Sequence, residues 1–297
     1  MTRFLQDVIE IPQRPEKPRE RGLSMVIDHG WSNARSEFVA NTIPYIDIVK
    51  STVPCILLDE RIVRKNIETY RNLGIDVQMA GVIFEIAVLQ GKQKELYKKI
   101  KEFGVNVVEV ESHAANIDLG EKKSEIKILK NMGFKVVGEV GTKWLHADRT
   151  RRTLGSIYVD KVIENLSQLL DAGANYVYWE GTVVRGLIGN RLENQAGQAQ
   201  LMEVVKAIGK DKIIFEVYSV RGNANTPLYA WLVHRLGPDI NVGNLFLTDI
   251  LYLEQVRRGI TYDPDHPYLR WLSQSKPTPN WWEIELPDYS VDMEPPK

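Results

Sequence analysis

The sequence predicts an α/β protein whose single domain is a (β/α)8 TIM barrel, and three observations lead to this fold class. Eight short runs of apolar, mostly β-branched residues recur along the chain. Segments with helical spacing separate these runs. Several of the segments end in a glycine that stands just before the next run. Eight alternating units within about 240 residues match the usual length of such a barrel, which is ~250 residues.

Each predicted strand is a nearly continuous apolar run, as expected when both faces of a parallel sheet are covered. The strands are LSMVID (23–28), IDIVK (46–50), IDVQM (75–79), NVVEV (106–110), KVVGEV (135–140), YVYWE (176–180), KIIFE (212–216) and INVGN (240–244). Their regular recurrence along the chain favours a repeated strand–helix unit.

The segments between the strands supply the predicted helices, of which the clearest are residues 59–72, 91–103, 119–132 and 157–172. The glycines that follow can adopt the left-handed conformation that ends a helix, and they are Gly74, Gly104, Gly133 and Gly173. A doubly wound open sheet is the competing architecture, and it usually carries a glycine-rich dinucleotide loop after its first strand. No GxGxxG motif occurs there, so the barrel is favoured.

Two terminal segments differ from the barrel in composition. Residues 1–20 are rich in Pro, Arg and Glu and are assigned to an N-terminal extension, while the predicted barrel covers residues 21–260. Residues 261–297 form an irregular tail rich in aromatic residues and proline. Because such a tail is too apolar for a free linker, we expect it to pack on the barrel or on a neighbouring subunit. The chain is therefore expected to form a homo-oligomer.

Composition and charge exclude several functional classes. The 38 Lys and Arg residues nearly balance 39 Asp and Glu, and a net charge of -1 gives no sign of nucleic-acid binding. No apolar stretch approaches the roughly 18 residues of a membrane span. The N-terminus lacks the apolar segment of a secretory signal, and the one cysteine, Cys55, rules out an internal disulfide framework. These features predict a cytoplasmic protein with no nucleic-acid or membrane partner.

Charged and polar residues recur where the predicted strands end, and chemistry in this barrel takes place at the C-terminal strand ends. In chain order they are Asp28, His29, Lys50, Glu85, Glu109, Glu111, His113, Glu139, Lys143, Glu180, Glu216 and Asn244. Because carboxylates outnumber lysines, a divalent cation is a natural counter-charge. A ring of mutually paired charges without a catalytic role is the alternative. Within the set, Glu85 is expected to begin a helix, and an outward orientation of Glu109 toward the helices stays open.

Eight segments carry a resemblance to the phosphosulfolactate synthase family, from about Arg19 to Ile260. They are RGLSMVIDHG (21–30), YIDIVK (45–50), GVIFEIA (81–87), VVEVE (107–111), GFKVVGEVGTK (133–143), AGANYVYWEG (172–181), KIIFE (212–216) and VGNLFLTDILYLEQVRRG (242–259). That family is a Mg2+-dependent (β/α)8 barrel that joins sulfite to phosphoenolpyruvate in coenzyme M biosynthesis. The resemblance implies a lyase that forms a C–S bond, or another bond to carbon, on a small anionic substrate.

The family chemistry implies roles for the matched residues. Lys143 aligns with the lysine that delivers a proton to the carbanionic centre as a general acid. Lys50 aligns with a fixed positive charge for the anionic substrate, and Glu139 of the EVGxK motif is the third expected catalytic residue. The matched carboxylates that are expected to hold the Mg2+ ion or its waters are Asp28, Glu180 and Glu216.

The sequence departs from the family pattern at positions that are expected to bind the substrate. His29 stands in place of a lysine, Thr182 stands in place of an arginine, and Arg185 is a candidate replacement for that arginine. The other expected substrate-binding residues are Glu111, Ser112, His113, Arg221 and Asn244. These departures keep open a related enzyme with a different substrate and, outside enzymes, a binding barrel without catalysis.

Three histidines follow predicted strands 1, 4 and 5, and they are His29, His113 and His146. Together with Glu111 they offer an alternative site for Zn2+, Mn2+ or Fe2+ in place of Mg2+.

Overall fold

The computed structural model describes residues 5, 7–28, 37–112, 115–141, 156–189, 192–217, 226–261, 267–274 and 279–284. Eight parallel strands close into a barrel in chain order, so the predicted (β/α)8 fold class is confirmed. The strands are β1 (Ser24–Asp28), β2 (Ile48–Ser51), β3 (Asp76–Met79), β4 (Val107–Val110), β5 (Lys135–Val140), β6 (Tyr176–Trp179), β7 (Ile213–Glu216) and β8 (Asn241–Leu245). Each of them overlaps one of the eight predicted runs.

Helices alternate with the strands and cover the outside of the barrel. They are α1 (Glu37–Thr42), α2 (Glu60–Asn72), α3 (Gly81–Leu89), α4 (Gln93–Glu102), α5 (Leu119–Asn131), α6 (Val159–Asp171), α7 (Gly181–Ile188), α8 (Gln195–Ile208), α9 (Thr226–Leu236), α10 (Ile250–Val256) and α11 (Pro267–Ser273). The four segments with the clearest helical spacing contain α2, α4, α5 and α6. In the described ranges, no helix is both long enough and apolar enough to cross a membrane.

Local sequence signals explain where α5 begins and ends. The side chain of Asp118 accepts a hydrogen bond from the backbone N–H of Glu121 at 2.8 Å, and the Glu121 side chain accepts one from the N–H of Asp118 at 3.1 Å. This reciprocal pair is a capping box. After the helix, Gly133 has a φ of 85°, the left-handed conformation predicted for a glycine at this position.

Strand side chains alternate between two apolar cores. The larger core lies between the strands and the helices and includes Trp179 and Phe215. The smaller core fills the lower part of the barrel interior, and it consists of Leu23, Met25, Ile48, Val107, Val137, Tyr178 and Ile214. Because side chains alternate along a strand, a residue two positions after an inner residue also faces the interior, nearer the C-terminal strand ends.

The N-terminal segment crosses the base of the barrel, where the strands begin. The Arg19 guanidinium pairs with Asp47 at 2.9 Å, and the Lys17 ammonium donates to the carbonyl of Ile46 at 2.6 Å. Arg14 is buried in an ion pair with Glu254 of α10. These contacts join residues of the predicted N-terminal extension to α10 and to the two residues that precede β2.

The described part of the C-terminal tail packs on the barrel. Trp281 is buried and belongs to the larger core. A methyl group at Gly259 would lie 2.7 Å from the Trp281 ring, so the glycine permits the close approach. The tail residues 285–297 lie outside the described part of the chain.

Candidate active site

A polar layer lies directly above the inner core, toward the C-terminal strand ends. Four charged residues each follow an inner apolar residue by two positions and therefore face the interior. They are Lys50 after Ile48, Glu109 after Val107, Glu139 after Val137, and Glu216 after Ile214. All four are buried, so the barrel mouth concentrates charge in a place where water is largely excluded.

Lys50 holds the centre of this layer. Its Nζ donates to Glu109 Oε1 at 2.8 Å and to Glu216 Oε1 at 3.3 Å. It also donates to Asn244 Oδ1 at 3.4 Å. Asn244 has a φ of 56°, a left-handed conformation that asparagine tolerates better than most residues. One lysine therefore connects strands β2, β4, β7 and β8.

The cluster carries more negative than positive charge, and its pKa values reflect this. Burial alone would lower the pKa of Lys50, but Glu109 and Glu216 outweigh burial and raise that pKa well above its usual value. Burial, reinforced by the charges of Glu216 and Glu109, raises the pKa of Glu139 well above its usual value. Lys50 therefore stays cationic, while Glu139 lies where another negative charge is disfavoured.

Three carboxylates of the layer fit a divalent cation. Glu109, Glu139 and Glu216 each offer an oxygen, and these oxygens lie within 4.8 Å of one another. Buried carboxylate oxygens are the ligands preferred by hard cations such as Mg2+ and Mn2+. A cation would also relieve the repulsion that Glu139 experiences from its neighbours. The donor set therefore fits the metal that the family resemblance implies, without showing which metal binds.

A hydrogen-bond chain crosses the barrel and supports Glu109 from below. The Tyr178 hydroxyl donates to Gln78 Oε1 at 2.6 Å, and Gln78 Nε2 donates to Glu109 Oε2 at 3.1 Å. The backbone N–H of Gly81 donates to the same oxygen at 3.0 Å. Gln78 and Tyr178 were missed in the sequence, although strand alternation places both side chains on the inner face of the barrel.

Replacing Tyr178 with phenylalanine is expected to lower the free energy of unfolding by about 1–3 kcal/mol, because Gln78 Oε1 would lose its buried donor. Urea denaturation of both proteins measures the difference. Tyr176→Phe is the matched control, since the Tyr176 hydroxyl is exposed and donates only to the carbonyl of Glu20. Equal losses in the two variants would contradict a special role for the interior chain.

Lys122 is a third residue that sequence reasoning missed. It lies on α5, and its Nζ donates to the main-chain carbonyl of Glu139 at 3.1 Å. Burial lowers the pKa of Lys122, while the charges of Glu139, Glu111 and Glu85 oppose that shift. Lys122 therefore places positive charge behind the end of β5. No motif identifies it, because only the packing of α5 brings it there.

The structure corrects the expectations for Glu85 and Glu109. Glu85 does not begin a helix: it is the fifth residue of α3, it is buried, and its Oε1 accepts from the N–H of Ala115 at 3.1 Å. The outward orientation left open for Glu109 is wrong, because its carboxylate binds Lys50 inside the barrel. Strand alternation explains the result, since Glu109 shares the inner face with Val107.

Asp28 lies apart from the interior carboxylates. It occupies the opposite face of β1 from Met25, and the Tyr70 hydroxyl of α2 donates to its Oδ2 at 2.9 Å. Its carboxylate therefore faces the helix layer. We leave Asp28 out of the candidate metal site for this reason.

Glu111 and Glu180, the predicted carboxylates that follow β4 and β6, lie near the cluster. Glu180 is buried, and its Oε1 accepts from the Thr182 hydroxyl at 2.7 Å and from the Thr182 N–H at 3.2 Å, which caps α7. Glu111 is also buried, and both it and Glu180 contribute to the raised pKa of Glu139. The Ser112 hydroxyl donates to the carbonyl of Ala115 at 2.6 Å and so closes the loop before α5.

Arg185 lies half-buried on α7 and does not belong to the carboxylate cluster. Four predicted site residues, His29, His113, Lys143 and Arg221, lie outside the described part of the chain, as does His146. The described residues that the structure brings together are therefore Lys50, Glu139, Glu180, Glu216, Glu111 and Asn244, joined by Glu109.

The fold resembles that of solved barrel enzymes. The carboxyl transferase domain from Rhizobium etli pyruvate carboxylase, with 3-hydroxypyruvate, matches with a TM-score of 0.53 at 12% identity. The match covers 85% of this chain and 46% of that chain. At this identity the likeness shows the shared fold alone.

Sequence comparison is more specific. The model of the family described as (2R)-phospho-3-sulfolactate synthase (ComA) matches residues 12–263. Phosphosulfolactate synthase of Methanocaldococcus jannaschii is 30% identical over 250 residues, which cover 82% of this chain and 94% of that protein. The enzyme of the same name from Bacillus subtilis is 27% identical over 260 residues, which cover 86% and 96%. The chain thus belongs to the (2R)-phospho-3-sulfolactate synthase family.

Proposed function

We propose that this protein adds a nucleophile to phosphoenolpyruvate, or to a related carboxylate that forms an enolate, with sulfite as the nucleophile in the parent reaction. The observation that carries this proposal is the buried group of Glu109, Glu139 and Glu216 around Lys50, in a chain of this family. The curated relatives are themselves named phosphosulfolactate synthase.

The parent reaction needs three events at one substrate. The sulfur lone pair of sulfite forms a bond to the methylene carbon of phosphoenolpyruvate, and the electrons of the C=C bond move to the carbon that bears the phosphate ester. A proton then joins that carbon, and the phosphate ester stays intact. A bound divalent cation supplies Lewis-acid stabilisation of the negative charge on the substrate carboxylate.

The residues of this chain divide these tasks. Glu109, Glu139 and Glu216 would hold the cation, and we propose that the buried Glu180 assists them. Lys50 keeps Glu109 and Glu216 in position and supplies a fixed positive charge. We propose Lys143 as the general acid that protonates the carbanionic carbon, a role that rests on the family resemblance.

Phosphosulfolactate should form when the protein is incubated with phosphoenolpyruvate, sulfite and Mg2+ in a single turnover followed by mass spectrometry. Lys143→Ala should form none within the same time, because the carbanionic carbon would lack its proton donor. Lys98→Ala, a change on the exposed side of α4, is the control and should match the wild type. A folded wild-type protein that forms no product would reject the parent reaction.

A second candidate function is the same type of addition with a different nucleophile or acceptor. Thr182 occupies the position of a family arginine, so this position offers no positive charge to an anionic substrate. The Thr182 hydroxyl donates its hydrogen bond to Glu180. Substrates with one anionic group fewer than the parent pair fit this change. Product formation from phosphoenolpyruvate and another nucleophile, with none from sulfite, would favour this second function. A barrel that binds without catalysis would give neither product.

The proposal includes three further properties of the protein. We propose a cytoplasmic location, a homo-oligomeric assembly and a place in coenzyme M biosynthesis if sulfite is the nucleophile. Mg2+ is the proposed metal, and metal analysis of active protein distinguishes it from Mn2+, Zn2+ or Fe2+. Binding of a transition metal by His29, His113 and His146 with Glu111 is the alternative, and the three histidines lie outside the described ranges.

A further inference from the structure

The first turn of α9 presents two polar side chains on one face. Thr226 opens the helix that follows β7, and Tyr229 lies three residues later, so both side chains fall on the same side of the helix. Both residues are buried, with 4% and 1% of their surface exposed. Two hydroxyl groups are therefore held away from bulk water on the helix that follows β7.

The Thr226 hydroxyl indicates that this face of the helix binds a ligand. Its Oγ1 is buried and has no hydrogen-bond partner among the described residues. Burying a hydroxyl without a partner is unfavourable, and native proteins rarely leave such a group unsatisfied. Pro227 has no N–H, but the N–H groups of Thr226 and Leu228 in the first turn have no acceptor within the helix and lie at the positive end of the helix dipole. The hydroxyl therefore stands where a negatively charged acceptor would be stabilised.

Arg185 adds a full positive charge to the same region. It projects from α7, the helix that follows β6, and it is half-buried. Burial lowers the pKa of Arg185, and the phenol of Tyr229 acts in the opposite direction, which places the phenol within electrostatic range of the guanidinium. A guanidinium with its planar set of donors is well suited to bind an oxyanion.

We propose that Thr226, Tyr229, the first-turn amides of α9 and Arg185 form a subsite for a tetrahedral oxyanion, and that its occupant is the phosphate group of the substrate. Its two helices, α7 and α9, are the ones that follow β6 and β7 in the chain, and these strands carry Glu180 just after β6 and Glu216 at the end of β7. A ligand could therefore reach both the subsite and the carboxylate cluster. Barrels of this architecture frequently bind phosphate with a helix N-terminus near the last strands.

The assignment of the phosphate to a substrate rests on the proposed function, whereas the binding of an oxyanion does not. The test therefore uses inorganic phosphate as the probe, titrated calorimetrically into the full-length protein without metal or sulfite at constant ionic strength. Wild-type protein should bind phosphate saturably. Arg185→Met should weaken binding by at least about tenfold, and Thr226→Val by about three- to tenfold, since each removes hydrogen bonds to a charged group.

Arg61→Met is the matched control, because Arg61 is fully exposed on α2 and pairs with Asp59. It should bind phosphate as the wild type does. If Arg185→Met fails to fold, the nearly isosteric Thr226→Val decides the outcome. The subsite is rejected if phosphate does not bind saturably, or if the variants bind as tightly as the Arg61→Met control. Phosphate binding without phosphosulfolactate formation would retain the subsite and reject only the parent reaction.

Discussion

Replacing Lys50 with methionine is expected to lower the free energy of unfolding by about 3–5 kcal/mol, the usual cost of leaving a buried charge without its partner. The variant keeps the volume of the aliphatic stem but removes the cation between Glu109 and Glu216. Asn244 Oδ1 would lose its donor as well. Urea denaturation of the metal-free protein, monitored by circular dichroism, measures the loss.

Lys135→Met is the matched control for this prediction. Lys135 also forms an ion pair, with Asp76 at 2.6 Å, but its side chain is 54% exposed. Exposed pairs contribute about 0–1 kcal/mol, so the control should change stability little. A divalent cation should restore part of the stability of Lys50→Met, because it would return positive charge to the carboxylates. Equal losses in the two variants would show that Lys50 does not organise the cluster.

Glu139→Gln is expected to abolish stabilisation by divalent metal while leaving the metal-free protein as stable as the wild type or more so. The reason is the environment of this position: burial, reinforced by the charges of four neighbouring carboxylates, disfavours a negative charge on Glu139 and raises its pKa. An amide makes the neutral state permanent, yet it is a poorer ligand for a hard cation.

The measurement is the metal-induced change in the free energy of unfolding at a fixed Mg2+ or Mn2+ concentration. At 100 times the wild-type Kd, a cation stabilises the folded protein by about 2.7 kcal/mol. A hundredfold weaker site would leave only about 0.4 kcal/mol. Glu102→Gln removes an exposed carboxylate that pairs with Arg64 and should respond to metal as the wild type does. Full metal stabilisation of Glu139→Gln would remove Glu139 from the proposed ligands.

These two predictions depend on side-chain directions, and the sequence contains part of that information. Val107 and Glu109 alternate with outward residues of the same strand, so inward orientation of Glu109 follows once Val107 is assigned to the interior. The same alternation separates Asp28 from Met25. Counting strand ends treated all of these residues as one set, and the match to family carboxylates then named Asp28 among the expected metal ligands.

Other members of the site cannot be identified from the residues next to them in the sequence. Tyr178 and Gln78 are 100 residues apart in the chain and meet only because the barrel closes. Lys122 belongs to a helix whose composition is ordinary, and it reaches Glu139 through the packing of α5 beside β5. Arg185 and Tyr229 come within electrostatic range of each other through the placement of α7 and α9. Each of these contacts depends on distances between elements, which strand and helix periodicity does not encode.

The sequence by itself determined the order of strands and helices, the barrel class and the family, because apolar periodicity, glycine stops and motifs act over a few neighbouring residues. Tertiary structure decided which charges meet. Closure of the barrel brings Lys50 within 2.8 Å of Glu109 and 3.3 Å of Glu216, and it turns Asp28 away toward α2. Electrostatic energy depends on distance and burial, so the chemistry of this mouth is defined only when all eight strands are in place.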